Sequence, residues 1–490
     1  MKNNKIKIAI SYPPLINSKG NAFLGQNRQF QWTNTGNVIL PVIPAYGATA
    51  LSQLGYKVFW DDAIAEKIQY DIWLKRLIKF KPNIIFIESK TPVIKHHWEI
   101  INQLKINNSK LKIVLMGDHV TALPKESLLN SKVDYVITGG DYDFMMLNLV
   151  DHIYHKKKLE SGIYYRFQNK IINSGKFALK HHNLDSLPII DRKLTNWKIY
   201  GYQNTNFKYK PAAYIMSGRD CWWGKCTFCS WTTTHPGNTF RYFSVDHTIK
   251  ELKYLASLGI REVFDDAGTL PVGLWLKEFC EKLISSGLNK KIIFGCNMRF
   301  GALNQEQYNL MGKAGFRFIL YGLESSNQNT LDHIIKNTKV EDSRKTLIMA
   351  KKAGLEPHLT IMFGYPWETK QDAVTTLNEA KSLFKDGLAD SMQATIVVPY
   401  PGTPLFDECK KNNWLKNTDW NDYDMRIPIM KSPISDEGQL KLVHSLFHGV
   451  LTPKFLWRKI TNIRNMDDIS YLFNYAIKYI KKLQDFPKSK

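Results

Sequence analysis

Cys221-Trp222-Trp223-Gly224-Lys225-Cys226-Thr227-Phe228-Cys229 holds three of the six cysteines in a chain of 490 residues. The spacing is C-x4-C-x2-C, while Cys280, Cys296 and Cys409 are scattered. Thiolates this close together can share one metal centre. A structural zinc ion takes four ligands in a closed shell, and His235 is the candidate that would complete such a site here. A [4Fe-4S] cluster held by only three cysteines leaves one iron open to a further ligand. Spacing alone leaves both readings open. Gly224 and Lys225 suit a loop, which argues against three packed core cysteines. Few cysteines and no secretory signal argue against disulfides, so a reducing, cytoplasmic compartment is the expectation.

Working outward, six strand-then-helix units surround the cysteine loop. The strands are expected at Ala213–Met216, Glu262–Asp265, Lys291–Gly295, Phe316–Tyr321, His358–Phe363 and Gln393–Val398. Helices fit between them, for example Asp246–Leu258 and Glu306–Lys313. Six units make a partial barrel, and the cysteine loop follows the first strand. That is the carboxyl end, where parallel barrels place their chemistry. Polar or glycine-bearing loops close the other strands: Asp265-Asp266-Ala267, Cys296-Asn297-Met298-Arg299, Gly322-Leu323-Glu324-Ser325, Gly364-Tyr365-Pro366-Trp367-Glu368-Thr369 and Pro399-Tyr400-Pro401-Gly402-Thr403-Pro404.

Upstream, short apolar strands alternate with helices. Lys7 to Ser11, Lys57 to Trp60, Asn83 to Glu88, Lys112 to Met116 and Tyr135 to Ile137 read as strands, and Ala45 to Leu54 and Asp71 to Phe80 as helices. The pattern predicts a parallel sheet covered on both faces, with ligands at the carboxyl ends of its strands. Ile163–Phe167 and Lys170–Ile172 read as a hairpin turning at Gln168-Asn169, and Leu184–Arg192 as an extended linker. Downstream, Trp420–Tyr423 reads as a loop over the barrel mouth. Gln439–Leu451 and Ile469–Leu483 read as helices with an apolar stripe, the last one basic through Lys478, Lys481 and Lys482. That last helix either packs on the barrel or lies on a membrane surface.

Composition bounds the partners. The formal net charge is +23 and 44% of residues are hydrophobic. Such a charge invites nucleic acid, but the basic residues are spread along the chain and form no single motif. Anionic substrates or membrane surfaces are the competing attraction. No apolar run is long enough to span a bilayer.

Ser217-Gly218-Arg219-Asp220 followed by the cysteine stretch resembles the cluster loop of radical S-adenosylmethionine (SAM) enzymes. Their spacing is C-x3-C-x2-C, so this chain has one extra residue between Cys221 and Cys226. The resemblance implies a [4Fe-4S] cluster on Cys221, Cys226 and Cys229, whose open iron chelates SAM. It also implies reductive cleavage of SAM to methionine and a 5'-deoxyadenosyl radical, with an electron from a reductant such as flavodoxin or ferredoxin. By the same resemblance Asp265 and Asp266 lie where the methionyl amino group is held, Arg299 and Glu324 where the carboxylate and ribose are held, and Val397 and Val398 beside the adenine.

The N-terminal segment resembles the cobalamin (B12)-binding domain that precedes many radical SAM domains. Tyr12-Pro13-Pro14, Gly55-Tyr56-Lys57-Val58, Gly117-Asp118-His119 and Thr138-Gly139-Gly140 carry that likeness. It implies cobalamin contacts from Tyr12, Pro13, Gly117, Asp118, His119 and Gly139. No D-x-H-x-x-G motif is present, so cobalamin would be held without a histidine below cobalt; His119 reads equally well as a solvated loop residue.

The expected fold is α/β: a Rossmann-like doubly wound parallel sheet (1–175), a linker (176–206), a partial (β/α)6 TIM-type barrel (207–410) and a small helical C-terminal region (411–490). The expected function is cobalamin-dependent methylation of an unactivated carbon in a small molecule. Two alternatives stand beside it. One is a radical SAM cyclase, oxidase or rearrangement enzyme with a vestigial B12 domain, and the other a zinc-stabilised basic nucleic-acid-binding protein. Catalytic residues acting on the substrate are not identifiable from the sequence.

Overall fold

The computed structural model describes residues 3–24, 30–168, 170–178, 182–204, 206–237 and 239–487. Lys7–Tyr12 (β1) starts a seven-stranded sheet in the order β7-β6-β5-β4-β3-β1-β2. The other strands are Lys57–Asp62 (β2), Ile84–Glu88 (β3), Lys112–Met116 (β4), Tyr135–Ile137 (β5), Ile163–Phe167 (β6) and Lys170–Asn173 (β7). Neighbours among β1 to β5 run parallel, and β6 and β7 add an antiparallel hairpin. The hairpin is where the sequence places it; of its turn residues, Asn169 lies outside the described ones.

The reason for the parallel sheet is visible in β3. Ile84-Ile85-Phe86-Ile87-Glu88 is buried at every position, so neither face can be left to water. Helices Val42–Gln53 (α1) and Tyr142–His155 (α2) pack on the face of Ile84 and Phe86. Trp73, Ile94 and Ile101, from the helices Tyr70–Phe80 and Ile94–Asn107, pack on the face of Ile85 and Ile87.

A second sheet of six parallel strands follows chain order without a crossover: Ala212–Ile215 (β8), Glu262–Asp265 (β9), Ile293–Met298 (β10), Phe316–Glu324 (β11), Glu356–Phe363 (β12) and Ser391–Ile396 (β13). β13 does not pair with β8, so the sheet is a half-barrel. Five helices between the strands bury one apolar core with its outer surface. Cys280 and Cys296 both sit in that core, fully buried, so Cys296 is a packing residue.

The two sheets share hydrophobic clusters, so the domains are welded and not strung. Tyr214, Phe264 and Phe318 of the half-barrel join Ile8, Tyr46 and Met145 of the first domain in one core. Buried charges reinforce the junction. Arg219, fully buried, pairs with Asp141 at 3.1 Å and Asp143 at 2.8 Å. Arg241 holds both oxygens of Asp141 at 2.8 Å, and His182 Nδ1 lies 2.6 Å from it. Burial alone would raise the Asp141 carboxyl, but His182, Arg219 and Arg241 hold it well below the usual range. The stretch expected as an extended linker is packed too: Arg192 is buried against Glu251 at 2.7 Å, and a short helix spans Trp197–Tyr202.

Three helices end the chain: Asp436–Val450 (α3), Pro453–Thr461 (α4) and Met466–Leu483 (α5). α3 and α5 match the expected helices. α4 was not read, although Thr452 caps its start by accepting from Phe455 N at 3.2 Å, with Pro453 at the first position. The inner face of α5 packs on the half-barrel, where Arg317 lies over Tyr471. Asp485, just beyond it, accepts from Asn34 N at 2.8 Å and Thr33 Oγ1 at 2.9 Å, tying the last helix to a small antiparallel sheet within residues 16–33. Trp420 departs from the expectation. It packs on His119 and donates to Glu126 at 2.9 Å, so this loop covers the N-terminal domain and not the barrel mouth.

Candidate functional site

The cysteine loop leaves the half-barrel after β8 and is closed at its base. Gly218–Arg219 pairs antiparallel with Arg241–Tyr242, so the residues between form one loop over the carboxyl ends of the strands. Neighbouring strand-end loops then pin it. Thr227 N donates to Ile334 O at 3.0 Å, Trp223 Nε1 to Ile335 O at 2.7 Å, and Leu405 N to Thr227 O at 3.0 Å. Gly268 N donates to Asp220 O at 3.2 Å. A side chain on Gly268 would sit 2.8 Å from Cys221 Cβ, so only glycine permits this approach. Between Cys221 and Cys226 the chain bends at Trp222 and Trp223, and Gly224 has a φ of +58° that glycine adopts without strain. Trp222 and Trp223 lie beside the Arg299 guanidinium, at 5.3 and 4.6 Å.

Cys221, Cys226 and Cys229 all line one cavity, together with Thr269, Arg299, Glu324, Lys336 and Thr395. None of the three is in a disulfide, all are part-buried, and Cys221 Sγ lies 3.1 Å from Thr269 Oγ1. Among the described residues, no three His, Cys, Asp or Glu side chains come close enough together to hold one metal ion. No single-ion zinc site is therefore formed among the described residues, and three thiols on the wall of one cavity match the ligand count of a [4Fe-4S] cluster with one open iron. His235, the residue expected to complete a zinc site, is not among those that line this cavity. It is buried, tilted on Trp231 at 4.7 Å, and Gly140 lacks the Cβ that would strike its ring.

The electrostatics also suit a cluster. Burial pushes the Cys226 thiol up, while Lys336 and Arg299 beside it pull it down. A cluster on three thiolates is anionic, and these two cations oppose that charge in a low-dielectric site. Burial in turn lowers the Arg299 guanidinium, and the thiols counter it. Buried polar atoms without partners among the described residues gather at this loop: Trp222 Nε1, Thr227 Oγ1, Ser230 Oγ, Trp231 Nε1 and Thr233 Oγ1. Each such atom costs about 1–3 kcal/mol when left unpaired, and of these residues Trp231 lines the cavity itself.

The structure sorts the residues expected to hold SAM. Arg299 and Glu324 line the cysteine cavity. Glu324 pairs with Lys336 at 2.7 Å, and a side chain on Gly322 would meet its carboxylate at 2.1 Å. Asp265 is turned to structure: it accepts from Ser217 N at 3.2 Å and Ala267 N at 3.0 Å, tying β8 to its own loop. Burial raises its carboxyl to about 6, against those hydrogen bonds. Asp266 faces a second cavity, inside the half-barrel. Val397 and Val398 are buried in a core cluster; the β13 side chains that line the cysteine cavity are Gln393 and Thr395.

Lys336 escaped the sequence reading. It is delivered by a turn after the helix Gln328–His333, in which Ile335 and Asn337 have φ of +52° and +51°. A β-branched residue in that region is strained, and the turn aims the Ile334 and Ile335 carbonyls at the cysteine loop. No glycine marks it in the sequence.

The second cavity shares Asn297, Leu320 and Gln393 with the cysteine cavity, so the two adjoin. Phe207, Tyr214, Phe264 and Phe318 give it an aromatic wall, and Lys478 and Lys482 of α5 enter it from the C-terminal region. Lys482 pairs with Asp485 at 2.9 Å. Lys478 donates to Asn206, and no carboxylate pairs with it among the described residues. Burial pulls its ammonium down to about 7, with Lys482 adding repulsion.

At the carboxyl edge of the first sheet, the expected cobalamin residues form a bonded network. Tyr12 OH donates to Glu88 at 2.8 Å, and Glu88 pairs with Lys90 at 3.0 Å. Pro13, buried, follows directly after the last residue of β1. Asp118 is buried; burial raises its carboxyl and Lys90 opposes that. His119 is also buried and not a solvated loop residue. Its ring nitrogens meet Thr91 at 3.2 Å and Glu126 at 2.9 Å. Gly117 passes so close to Ser89 O that a Cβ would lie 2.0 Å from it, and a Cβ on Gly139 would strike Phe177.

Comparison with known proteins agrees with this geometry. Residues 215–380 match the radical SAM superfamily model. The chain is 27% identical over 406 residues to an uncharacterized methyltransferase of Pyrococcus horikoshii, covering 81% of this chain and 85% of that one. It is 25% identical over 410 residues to the anaerobic magnesium-protoporphyrin IX monomethyl ester cyclase of Cereibacter sphaeroides, covering 82% of this chain and 65% of the cyclase. The fold is that of the radical SAM methyltransferase TsrM from Kitasatospora setae, solved with cobalamin and a [4Fe-4S] cluster bound. The TM-score is 0.68 at 13% identity, covering 92% of this chain and 90% of that one. Residues 215–380, which carry the cysteine loop and most of the half-barrel around it, are therefore a radical SAM domain, in a chain whose fold is shared with a methyltransferase solved with cobalamin bound.

Proposed function

We propose that this chain is a radical SAM enzyme that methylates an unactivated carbon of a small molecule with the help of cobalamin. The observation that carries the reading is the union of two cavities: one lined by Cys221, Cys226 and Cys229, the other aromatic-walled and inside the half-barrel, sharing Asn297, Leu320 and Gln393. Cys221, Cys226 and Cys229 would hold a [4Fe-4S] cluster; with SAM on its open iron, the cluster supplies reductive cleavage of SAM.

The chain's own residues then have separable tasks. Arg299 and Lys336 oppose the negative charge of the cluster and of a SAM carboxylate. Glu324, held by Lys336 at 2.7 Å, offers its second oxygen to a ribose or ammonium. Asp265 shapes the loop, and Asp266 faces the substrate side. Val397 and Val398 support β13 beside the adenine position. The aromatic wall excludes water from the reacting carbon, and Lys478 offers a cation to an anionic group on the substrate. Cobalamin would be held by the carboxyl edge of the first domain, including Pro13, Gly117 and Gly139, without cobalt ligation by His119, both of whose ring nitrogens are engaged. The electron comes from a small reductant protein of the flavodoxin or ferredoxin class.

The cyclase relative supports a second reading, in which the same radical chemistry closes a ring or oxidises its substrate. Anaerobic purification with quantitation of cobalt, followed by assay of 5'-deoxyadenosine and of methyl transfer from labelled SAM, separates the two. Bound cobalt with methylated product supports the first. SAM cleavage without cobalt supports the second, and no 5'-deoxyadenosine under reduction refutes both.

A further inference from the structure

α5 has an inverted surface. Its inner face, against the half-barrel, is polar and aromatic: Tyr471 meets Arg317, Lys478 donates to Asn206 and Tyr479 donates to Phe447 O. Its outer face carries Met466, Ile469, Phe473 and Ile480, all exposed. α4 continues the pattern with Trp457 and Ile460. Trp457 is 68% exposed and Phe473 67%, values far from those of residues packed in a soluble core. The α5 positions recur at helical spacing, so they form one stripe, which a helix normally turns inward. Contiguous apolar surface of this kind marks an interaction site.

The charges around the stripe have one sign. Lys454, Arg464 and Lys481 are exposed and form no ion pair among the described residues. The acids of the same stretch are consumed: Asp467 by Arg261 at 2.6 Å, Asp468 by Lys208, and Asp485 by Lys482 at 2.9 Å. An apolar face with aromatic side chains and a rim of free cations is the chemistry of a helix lying in the interface of an anionic bilayer. A second copy would set cation against cation across a two-fold axis, in a chain already at +23. No described helix is long and apolar enough to cross a membrane, so contact would be peripheral.

We propose that the outward face of α4 and α5 docks this protein on anionic lipid bilayers. The docking is independent of the chemistry proposed above. It places a lipid surface on one side of α5 while Lys478 and Lys482 on the same helix line the aromatic-walled cavity.

The test is co-sedimentation of the full-length, anaerobically purified protein with phosphatidylcholine–phosphatidylserine vesicles and with neutral phosphatidylcholine vesicles. Light scattering of the free protein gives its oligomeric state. The wild type should bind the anionic vesicles and release as salt rises. Trp457→Gln with Phe473→Gln should weaken binding about tenfold or more. Lys454→Gln, Arg464→Gln and Lys481→Gln should each weaken it up to about fivefold. All five side chains are solvent-facing, and circular dichroism verifies that the variants fold. Three results would overturn the proposal: no binding at low salt, binding that ignores both sets of replacements, or a soluble dimer that Trp457→Gln and Phe473→Gln dissociate.

Discussion

Gly268→Ala tests how the cysteine loop is held. Gly268 does not use the left-handed region, so alanine meets no backbone penalty there and only its Cβ matters. That Cβ would lie 2.8 Å from Cys221 Cβ, 3.0 Å from Asp220 O and 3.1 Å from Trp231 Nε1. Carbon atoms rest at about 3.5–4.0 Å, so Cys221 must withdraw by roughly 1 Å. The loop cannot yield freely, because its base is the ribbon at Arg219 and Arg241 and its far side is bonded to Ile334 and Leu405. Overpacking of this kind costs about 1–3 kcal/mol of stability, which the fold survives. The thiolate, however, loses its place. A displacement near 1 Å costs about 100-fold in a positioned reaction. Anaerobically reconstituted Gly268→Ala should therefore melt only slightly lower than wild type, carry less iron and form 5'-deoxyadenosine about 100-fold more slowly. Full iron content with an undiminished rate would refute the claim that Gly268 sets the position of Cys221.

Four further outcomes follow from the same geometry. Lys336→Met removes the partner of Glu324 and one of the two cations beside Cys226, and should cost about 3–5 kcal/mol locally, read as lost SAM affinity in equilibrium dialysis. Asp141→Asn leaves Arg219 and Arg241 short of a counter-charge and should lower stability by about 3–5 kcal/mol in denaturant unfolding, with both domains melting together. His182, lifted to about 9 from 6.5 by Asp141 and Glu160 against the pull of burial, ties the junction pH-dependently. Its contribution is complete below pH 6.5 and fades as pH rises through about 9, so thermal stability should fall across that window and His182→Gln should flatten the change. Lys478→Met should raise KM for an anionic substrate by roughly tenfold with kcat nearly unchanged, consistent with a binding role.

Much of this arrangement was legible in the residues. The all-apolar strands such as Ile84–Ile87 made the parallel sheet legible, because continuous apolar runs between helices have few other folds open to them, and Glu262–Asp265 fell where the sequence placed it. Arg299 and Glu324 could be read as cavity residues because the family resemblance assigns SAM contacts to the loops that follow the barrel strands, where the sequence puts both. Asp265 could not be told from Asp266 by sequence: adjacent residues on a strand end point to opposite sides, and only the backbone donors of Ser217 and Ala267 decide which acid is consumed. Lys336 was hidden because its turn is built from Ile335 and Asn337 in a conformation usually marked by glycine. Lys478 was hidden by distance, since it reaches the cavity from a position more than 80 residues beyond the end of the last barrel strand. His119 looked like a loop residue because its partners, Thr91, Glu126 and Trp420, come from three separate parts of the chain.

The central claim is that Cys221, Cys226 and Cys229 hold an iron–sulfur cube. Iron and acid-labile sulfide, measured per chain after anaerobic reconstitution of the wild type and of the Cys221→Ala/Cys226→Ala/Cys229→Ala variant, test it most directly. The structure predicts about four of each in the wild type and essentially none in the variant. Zinc in place of iron, or iron that survives the loss of all three cysteines, would contradict it.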